Sequence, residues 1–418
     1  MTRWHVLAAG FAANAAFSAA ISGLPAAAVL LRDAYGLTTS GLGLALGAVG
    51  LGIAVSELPW GLLTDRIGDR RVLLSGLALT AAVLASMALF VSPARAAPAE
   101  LVVCMALLGL AGGSVNGSSG RAVMTWFTDG ERGLAMSIRQ TALPAGGAIG
   151  ALVVPATAAH AGFGAAYALL ALGCVAAGAC CWAWLRSPPS AAAQTHAQPP
   201  ADATPSPLGR WQVWRIVLGI GALCVAQIAV LSFIAVFLHD VGQFGLAATS
   251  AAMAAYQVGA AALRVWSGAW TDRHGNRPAF LRRCSVVTAM IFGALALLAG
   301  ATANVPGPAA AGALMLTLVL GGMAASCWHG VAFTELAVRA GPAHVGTALG
   351  LGNTLAFGAY FLTPIAVPLA LAAGGWPAAW CLVAVCALAA LPMFPPPSLH
   401  PRASKPANSP MSAGLTRK

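Results

Sequence analysis

The stretch GLLTDRIGDR, residues 61–70, recurs 207 positions later as GAWTDRHGNR, residues 268–277. Six of the ten positions are identical between the two copies. Each copy follows a long apolar run and combines Gly, Asp and Arg in a form that fits a tight polar hairpin between two helices. Two such hairpins in register indicate a chain built from two related halves.

Apolar runs that are long enough to cross a membrane surround both hairpins. The chain has 418 residues, of which 59% are hydrophobic and only 8% charged, whereas soluble domains carry about 25% charged residues. Because backbone groups in lipid must pair internally, runs of this length are helices. We predict twelve spans, at 6–31, 39–60, 73–92, 100–124, 136–158, 164–185, 213–238, 246–267, 280–301, 308–333, 344–372 and 376–394.

The formal net charge of +11 follows the predicted topology. With the N-terminus in the cytoplasm, 17 of the 22 Lys and Arg residues fall in cytoplasmic segments, and only Arg32 and Arg95 face the other side. This asymmetry is the positive-inside rule, so the basic charge predicts no nucleic-acid partner. We predict a multi-pass protein of a bacterial inner (plasma) membrane with both termini cytoplasmic.

The halves are predicted to be separate domains. Residues 1–186 form one six-helix bundle and residues 213–394 the second. Residues 187–212, rich in Pro, Ala and Ser, are predicted to form a flexible cytoplasmic linker, and residues 395–418 a disordered cytoplasmic tail. A weaker echo at an offset of 213 relates Gly133 to Gly346 and Pro155 to Pro368, and parallel repeats of this kind are typical of transporters.

At the two hairpins the sequence resembles the major facilitator superfamily, whose signature loop runs Gly-x-x-x-Asp-Arg-x-Gly-Arg-Arg/Lys. The resemblance implies an all-α membrane protein of 12 transmembrane helices in two pseudo-symmetric six-helix bundles. It also implies a central cavity for a small-molecule substrate, alternating access and no ATP hydrolysis. The segments GGSVNGSSGR (112–121) and ERGLAMSIRQ (131–140) are loosely similar to the anion/organic-acid and nitrate/nitrite porter branches. Leu108 stands where drug/proton antiporters carry an Arg.

The hairpins are predicted to work as gates. The carboxylates of Asp65 and Asp272 would gain from a neighbouring helix N-terminus, and Arg66 or Arg70 could lock the inward-closed contact. The alternative is a plain solvated turn. The gating residues predicted here are Gly61, Asp65, Arg66, Gly68 and Arg70 in the first copy and Gly268, Asp272, Arg273, Gly275 and Arg277 in the second.

Glu57 and Arg264 are equivalent positions of the two halves. Each lies eight residues before its hairpin aspartate, about 12 Å along the helix, and charges at this depth usually face a cavity or a partner. The guanidinium of Arg264 matches a carboxylate or a similar oxyanion, so we predict that it binds substrate. Glu57 is predicted to carry a proton during the cycle. A static Glu57–Arg264 pair is the alternative.

Other polar residues in the spans are candidate cavity donors. The predicted substrate-binding set is Arg264, Arg139, Gln140, Asn14, Gln257, Asn353 and Tyr360. Arg139 could instead snorkel to the surface, and Asn14, Ser18 and Ser22 could instead make helix-packing hydrogen bonds. Arg121 is expected to meet headgroups or Glu131.

These observations predict a secondary transporter in the lipid bilayer that moves a small organic anion with a proton as coupling ion, as a symporter. Drug or multidrug efflux and a sugar-type carrier are the alternatives. The nine Cys residues form no CxxC and no Cys/His cluster, and no catalytic motif is present. We therefore predict no cofactor, no metal and no enzyme activity, and we expect a monomer.

Overall fold

The computed structural model describes residues 3–37, 39–91, 93, 98–185, 206–302 and 307–396. These residues form fourteen α-helices and two short 3-10 turns, at Pro207–Gly209 and Pro342–His344, and they contain no β-strand. The helices are α1 (Arg3–Ala26), α2 (Ala28–Ala34), α3 (Thr39–Ile67), α4 (Asp69–Phe90), α5 (Pro98–Gly112), α6 (Ser114–Trp126), α7 (Arg132–Gln140), α8 (Ala142–Trp184), α9 (Trp211–Asp240), α10 (Leu246–His274), α11 (Arg277–Ala301), α12 (Pro308–Ser326), α13 (His329–Ala340) and α14 (Val345–Ala389).

The helices make twelve passes. Over the described part of the chain, nine segments are long and apolar enough to cross a membrane. Two of them are double: Arg132–Trp184 contains non-helical backbone at Gly162, and the last segment contains it at Gly374 and Gly375. The twelfth pass is α10, which has 29 residues but is less apolar. The prediction of an all-α protein with twelve spans is therefore confirmed.

The chain reverses direction at Gly162. Gly146, near the start of α8, packs against Ala15 of α1, and Cys181, near its end, donates from its thiol to the carbonyl of Ala9. Both ends of α8 thus lie beside the same part of α1, which requires two antiparallel passes. Gly162 has φ +80°, a conformation that glycine adopts without strain.

Each half has its own apolar core. One cluster of buried side chains draws its members only from residues between Val6 and Leu185. Two further clusters come from residues 213–394, apart from Met124 and Met136. Small residues let helices pack closely within a bundle. Gly150 is an example, because a Cβ there would lie 2.2 Å from the Ala19 carbonyl oxygen.

The end of the first span differs from the prediction. The first span was predicted to run to residue 31, but α1 ends at Ala26, directly after the internal Pro25, and α2 is a separate short helix. A proline disturbs the backbone hydrogen bonding of a helix. Residues 187–205 of the predicted linker (187–212), Arg95, and residues 397–418 of the predicted tail (395–418) lie outside the described residues, so the domain boundaries stay predictions.

Candidate functional site

A carboxylate from the first half caps a helix of the second half. Asp65, near the end of α3, accepts hydrogen bonds from the backbone N–H groups of Gly346 (2.7 Å) and Thr347 (2.6 Å), and from the Thr347 hydroxyl (2.6 Å). These N–H groups belong to the first turn of α14, where no intrahelical acceptor exists. A negative charge there also interacts favourably with the helix dipole.

A carboxylate from the second half caps a helix of the first half in the same way. Asp272, near the end of α10, accepts hydrogen bonds from the backbone N–H groups of Gly133 (3.0 Å) and Leu134 (2.7 Å) in the first turn of α7. Asp65 and Asp272 are 207 positions apart, and Gly133 and Gly346 are 213 apart. The hairpin repeat of each half therefore contacts the repeated glycine segment of the other half, across the boundary between the bundles. We call these two contacts the outer clamps, and the end of the molecule where they lie the loop side.

Glycines let the backbones approach at the outer clamps. A Cβ at Gly61 would lie 2.4 Å from the Gly346 carbonyl oxygen, and one at Gly268 would lie 2.3 Å from the Gly133 carbonyl oxygen. Real Cβ atoms do not approach an oxygen so closely, so even an alanine would push the bundles apart. The hairpin glycines have another role: Gly68 and Gly275 have φ of +89° and +68°, which only glycine adopts at low cost.

The arginines beside the clamps differ from the predicted ones. Arg70 donates to the Trp182 carbonyl of its own bundle (3.0 Å), and Arg66 is exposed. Instead, Arg121 of α6 lies 3.5 Å from an Asp65 oxygen and 3.4 Å from an Asp69 oxygen. The expectation that either Arg66 or Arg70 would lock the gate is thus not met by this geometry.

The predicted environment of Arg121 is also wrong. Arg121 contacts the two hairpin aspartates rather than headgroups, and Glu131 pairs with Arg3 at 2.6 Å. In the second half, the arginine that pairs with the hairpin aspartate is Arg277, which lies 3.0 Å from Asp272. Arg273 is exposed.

A second pair of contacts, the inner contacts, lies two helical turns deeper. Glu57 accepts hydrogen bonds from the side-chain amides of Asn116 (2.6 Å) and Asn353 (3.3 Å), the latter on α14 of the opposite bundle. Arg264 donates from Nη1 to the backbone carbonyl of Gln140 in the opposite bundle (3.1 Å). Gln140 and Asn353 are 213 positions apart, so the inner contacts repeat the crossed pattern.

Arg139 joins a polar network inside the first bundle. Its guanidinium donates from Nε to the Ser119 hydroxyl (2.9 Å) and from Nη2 to the Asn116 backbone carbonyl and to Asn14 Oδ1 (3.4 Å). The Asn14 amide also donates to Ser119 (2.8 Å). Arg139 is only 3% exposed, so it does not snorkel. Because the Asn116 amide binds Glu57, one residue links the buried acid to the buried base.

The buried charges form no direct ion pair among the described residues. Glu57 is 0%, Arg139 3% and Arg264 4% exposed. Within the ranges that the structure describes, no carboxylate oxygen lies within 4 Å of either guanidinium. The alternative of a static Glu57–Arg264 pair is therefore wrong for this conformation.

Some candidates lie apart from this cluster. Gln257 is half-buried, seven residues before Arg264 on α10. Tyr360 is 46% exposed, and its ring lies 6.4 Å from that of Phe357. Ser18 donates to the Leu143 carbonyl (2.6 Å), which is a helix-packing bond rather than a cavity contact.

The sequence model of the Major Facilitator Superfamily matches residues 7–299. The chain belongs to the Major Facilitator Superfamily. Like other members, it is a membrane transporter that works by secondary transport.

Known proteins of the superfamily resemble the chain to different extents. An uncharacterized MFS-type transporter from Mycobacterium tuberculosis is 30% identical over 407 residues, which cover 96% of this chain and 88% of the relative. A probable sulfoacetate transporter, SauU, from Cupriavidus necator is 31% identical over 144 residues, which are 34% of this chain and 32% of the relative. The solved structure of the proton:xylose symporter XylE has a TM-score of 0.71 at 14% identity, and covers 93% of this chain and 94% of that one. That likeness concerns the fold alone.

Sequence reasoning about this superfamily member missed three polar residues of the site. Asn116 and Ser119 lie within the quoted segment 112–121, but they were not selected as site residues. Their spacing of three places them on one helix face, which is the signal that was available. Ser326, whose carbonyl accepts from Arg264 Nε at 3.1 Å, is the last residue of α12, where the helix ends. A backbone contact of this kind leaves no sequence signal.

Proposed function

We propose that this transporter carries a small organic anion together with a proton across a bacterial inner membrane. The observation that carries the proposal is the pair of buried arginines, Arg139 and Arg264, which have no carboxylate within 4 Å among the described residues. A buried cation without a counter-ion is costly. An anionic substrate between the bundles would supply the missing charge.

Arg264 is the proposed anion-binding group. Its guanidinium already holds two backbone carbonyls, from Ser326 in its own bundle and from Gln140 in the other. It is therefore fixed at the boundary where a transported molecule must pass. A planar guanidinium offers paired N–H donors that match the oxygens of a carboxylate or sulfonate.

Glu57 is the proposed proton carrier. With Glu57 ionised, the three buried groups carry a net charge of +1; with Glu57 protonated, they carry +2. A proton on Glu57 therefore strengthens the attraction for an anion, and an anion strengthens the hold on the proton. Reciprocal coupling of this sign favours symport over antiport.

The outer clamps are the proposed cytoplasmic gate. The loop side is cytoplasmic by the positive-inside rule, and the crossed Asp65 and Asp272 contacts hold it closed. Alternating access then requires both clamps to open together, because each bundle supplies one carboxylate and one capped helix. A single chain contains both clamps, so the proposed gate needs only a monomer.

The resemblance to a probable sulfoacetate transporter supports an anionic substrate. Sulfoacetate carries a sulfonate and a carboxylate, either of which suits a guanidinium. The sugar-carrier and drug-efflux alternatives predict neutral and cationic or amphiphilic substrates, which would leave the net positive charge of Glu57, Arg139 and Arg264 uncompensated.

The proposal is tested by uptake into proteoliposomes. Labelled sulfoacetate, a short dicarboxylate, xylose and a cationic dye are offered with and without an inward-directed pH gradient. We expect accumulation of at least one of the anions, driven by the gradient, and its loss in Arg264→Ala. Unchanged anion uptake in Arg264→Ala would reject the site, and uptake of xylose or dye in place of the anions would favour the alternatives. Val258→Ala, at an exposed position of the same helix, is the control.

A further inference from the structure

A surface groove lies on the second bundle, away from the transport site. It has a volume of about 350 Å³ and is lined by Ala279, Arg282, Arg283, Val286 and Val287 of α11, and by Leu391 beyond the end of α14. It lies on the loop side, because α11 begins directly after the second hairpin. The groove thus combines two cations with an apolar floor.

The cations gather where α14 ends. Arg282 donates from Nη1 to the carbonyls of Leu391 (2.9 Å) and Phe394 (3.1 Å), and Arg215 donates to the Pro392 carbonyl (2.6 Å). Arg282 is therefore held rigidly against the groove by the backbone. Arg283 remains exposed to the surroundings. A fixed cation and an exposed one side by side form a site for an anionic group.

The spacing along α11 separates charge from apolar surface. Arg283 is six residues from Arg277, the first residue of the helix, and so lies about 9 Å along it. Val286 and Val287 follow one turn later, further from the loop-side end of the helix. A headgroup at the arginines and an acyl chain along the valines would match this order.

The repeat does not require these arginines. The equivalent positions in the first half, at the offset of 207, are Ser75 and Gly76. Gly76 is packed so closely that a Cβ there would lie 1.7 Å from the Ser114 hydroxyl oxygen. The basic groove is therefore a feature of the second half alone, added to the common six-helix plan.

We propose that this groove binds an anionic phospholipid from the loop-side leaflet. The phosphate contacts Arg282 and Arg283, and one acyl chain lies over Val286 and Val287. Basic pockets between helices on the cytoplasmic side bind such headgroups, and the cytoplasmic leaflet supplies them. This site is separate from the proposed anion pathway, so it stands whatever the transported substrate is.

The test is lipid titration of the purified transporter in neutral detergent, read by native mass spectrometry. Dioleoyl phosphatidylglycerol should bind more tightly than dioleoyl phosphatidylcholine, and Arg283→Glu should weaken phosphatidylglycerol binding about tenfold. Arg71→Glu, which reverses an exposed cation on the same side but outside the groove, should change it by less than about twofold. Equal losses in both variants would indicate general surface charge and overturn the proposal.

Glycerol 3-phosphate separates a lipid site from a simple phosphate site. It carries the phosphate without acyl chains, and we expect it not to displace the bound lipid. Displacement at concentrations similar to those of the lipid would contradict the role of the apolar floor. Arg283→Gln serves as the milder variant, and intermediate weakening is expected; binding as tight as in the wild-type protein would also overturn the proposal.

Discussion

The Asp65 carboxylate lies 2.7 Å from the backbone nitrogen of Gly346 and thereby caps a helix that belongs to the other half of the transporter. Hydrogen bonds to charged groups contribute about 1.5–3 kcal/mol each, and the helix dipole about 0.3–1 kcal/mol more. Contacts of this strength hold a closed state, yet they can be exchanged for water when the bundles separate.

Replacing Asp65 by Asn should weaken the outer clamp. The neutral amide keeps one acceptor but loses the charge, so the closed contact should open more often. We expect a loss of coupled transport of about tenfold or more, with a smaller effect on substrate binding. Hydrogen–deuterium exchange of the peptide that contains residues 345–348 reports on the clamp directly. Its amides should exchange faster in Asp65→Asn.

Two further variants control that measurement. Asp272→Asn should expose the peptide around residues 133–135 in the same way, since the geometry is repeated. Asp240→Asn, an exposed aspartate that pairs with His239, should alter neither peptide. If exchange at 345–348 is the same in Asp65→Asn and the wild-type protein, the capping role is refuted.

A single methyl group at Gly61 should separate the bundles on the loop side. A Cβ there would lie 2.4 Å from the Gly346 carbonyl oxygen, while one at Gly50 of the same helix meets nothing within 4 Å. We expect Gly61→Ala to slow transport strongly and to speed amide exchange at the start of α14. Gly50→Ala should behave like the wild-type protein in both assays. Equal transport by the two variants would mean that close approach at Gly61 is not needed.

The inner contacts predict that alanine substitutions at two equivalent positions affect transport differently. Asn353 acts through its side chain on Glu57, whereas Gln140 acts through its backbone carbonyl on Arg264. Asn353→Ala removes a bond to a charged group, so transport should fall about tenfold. Gln140→Ala keeps its carbonyl and should change transport by about twofold or less. Initial uptake rates in proteoliposomes compare the two, and a larger loss in Gln140→Ala would contradict the assignment.

Much of the architecture could be predicted from the sequence. The apolar runs gave the twelve spans, and the hairpin repeat at 61–70 and 268–277 gave the two halves. The equivalence of Glu57 and Arg264 followed from the same offset. Helix ends were harder: in α1 the boundary depends on Pro25, which sits inside an otherwise unbroken apolar run.

Side-chain partners could not be predicted in the same way. The two repeats have different offsets, and only the packed structure reveals that Gly61 faces Gly346 while Gly268 faces Gly133. Its position near a helix end predicts that Arg121 meets headgroups or Glu131, but α6 turns it toward Asp65. The contact of Arg264 with a backbone carbonyl depends on tertiary packing, which no local pattern encodes.

The coupling of a proton to an anion through Glu57 is tested most directly by the affinity for an anion that the transporter carries, measured by thermal stabilisation at pH 6 and pH 8. Glu57 accepts hydrogen bonds from the neutral amides of Asn116 and Asn353. Arg139, which donates to the Asn116 carbonyl, stays charged at both pH values. We predict tighter anion binding at pH 6 in the wild-type protein and the same affinity at both pH values in Glu57→Gln. A pH dependence that survives in Glu57→Gln would contradict the account.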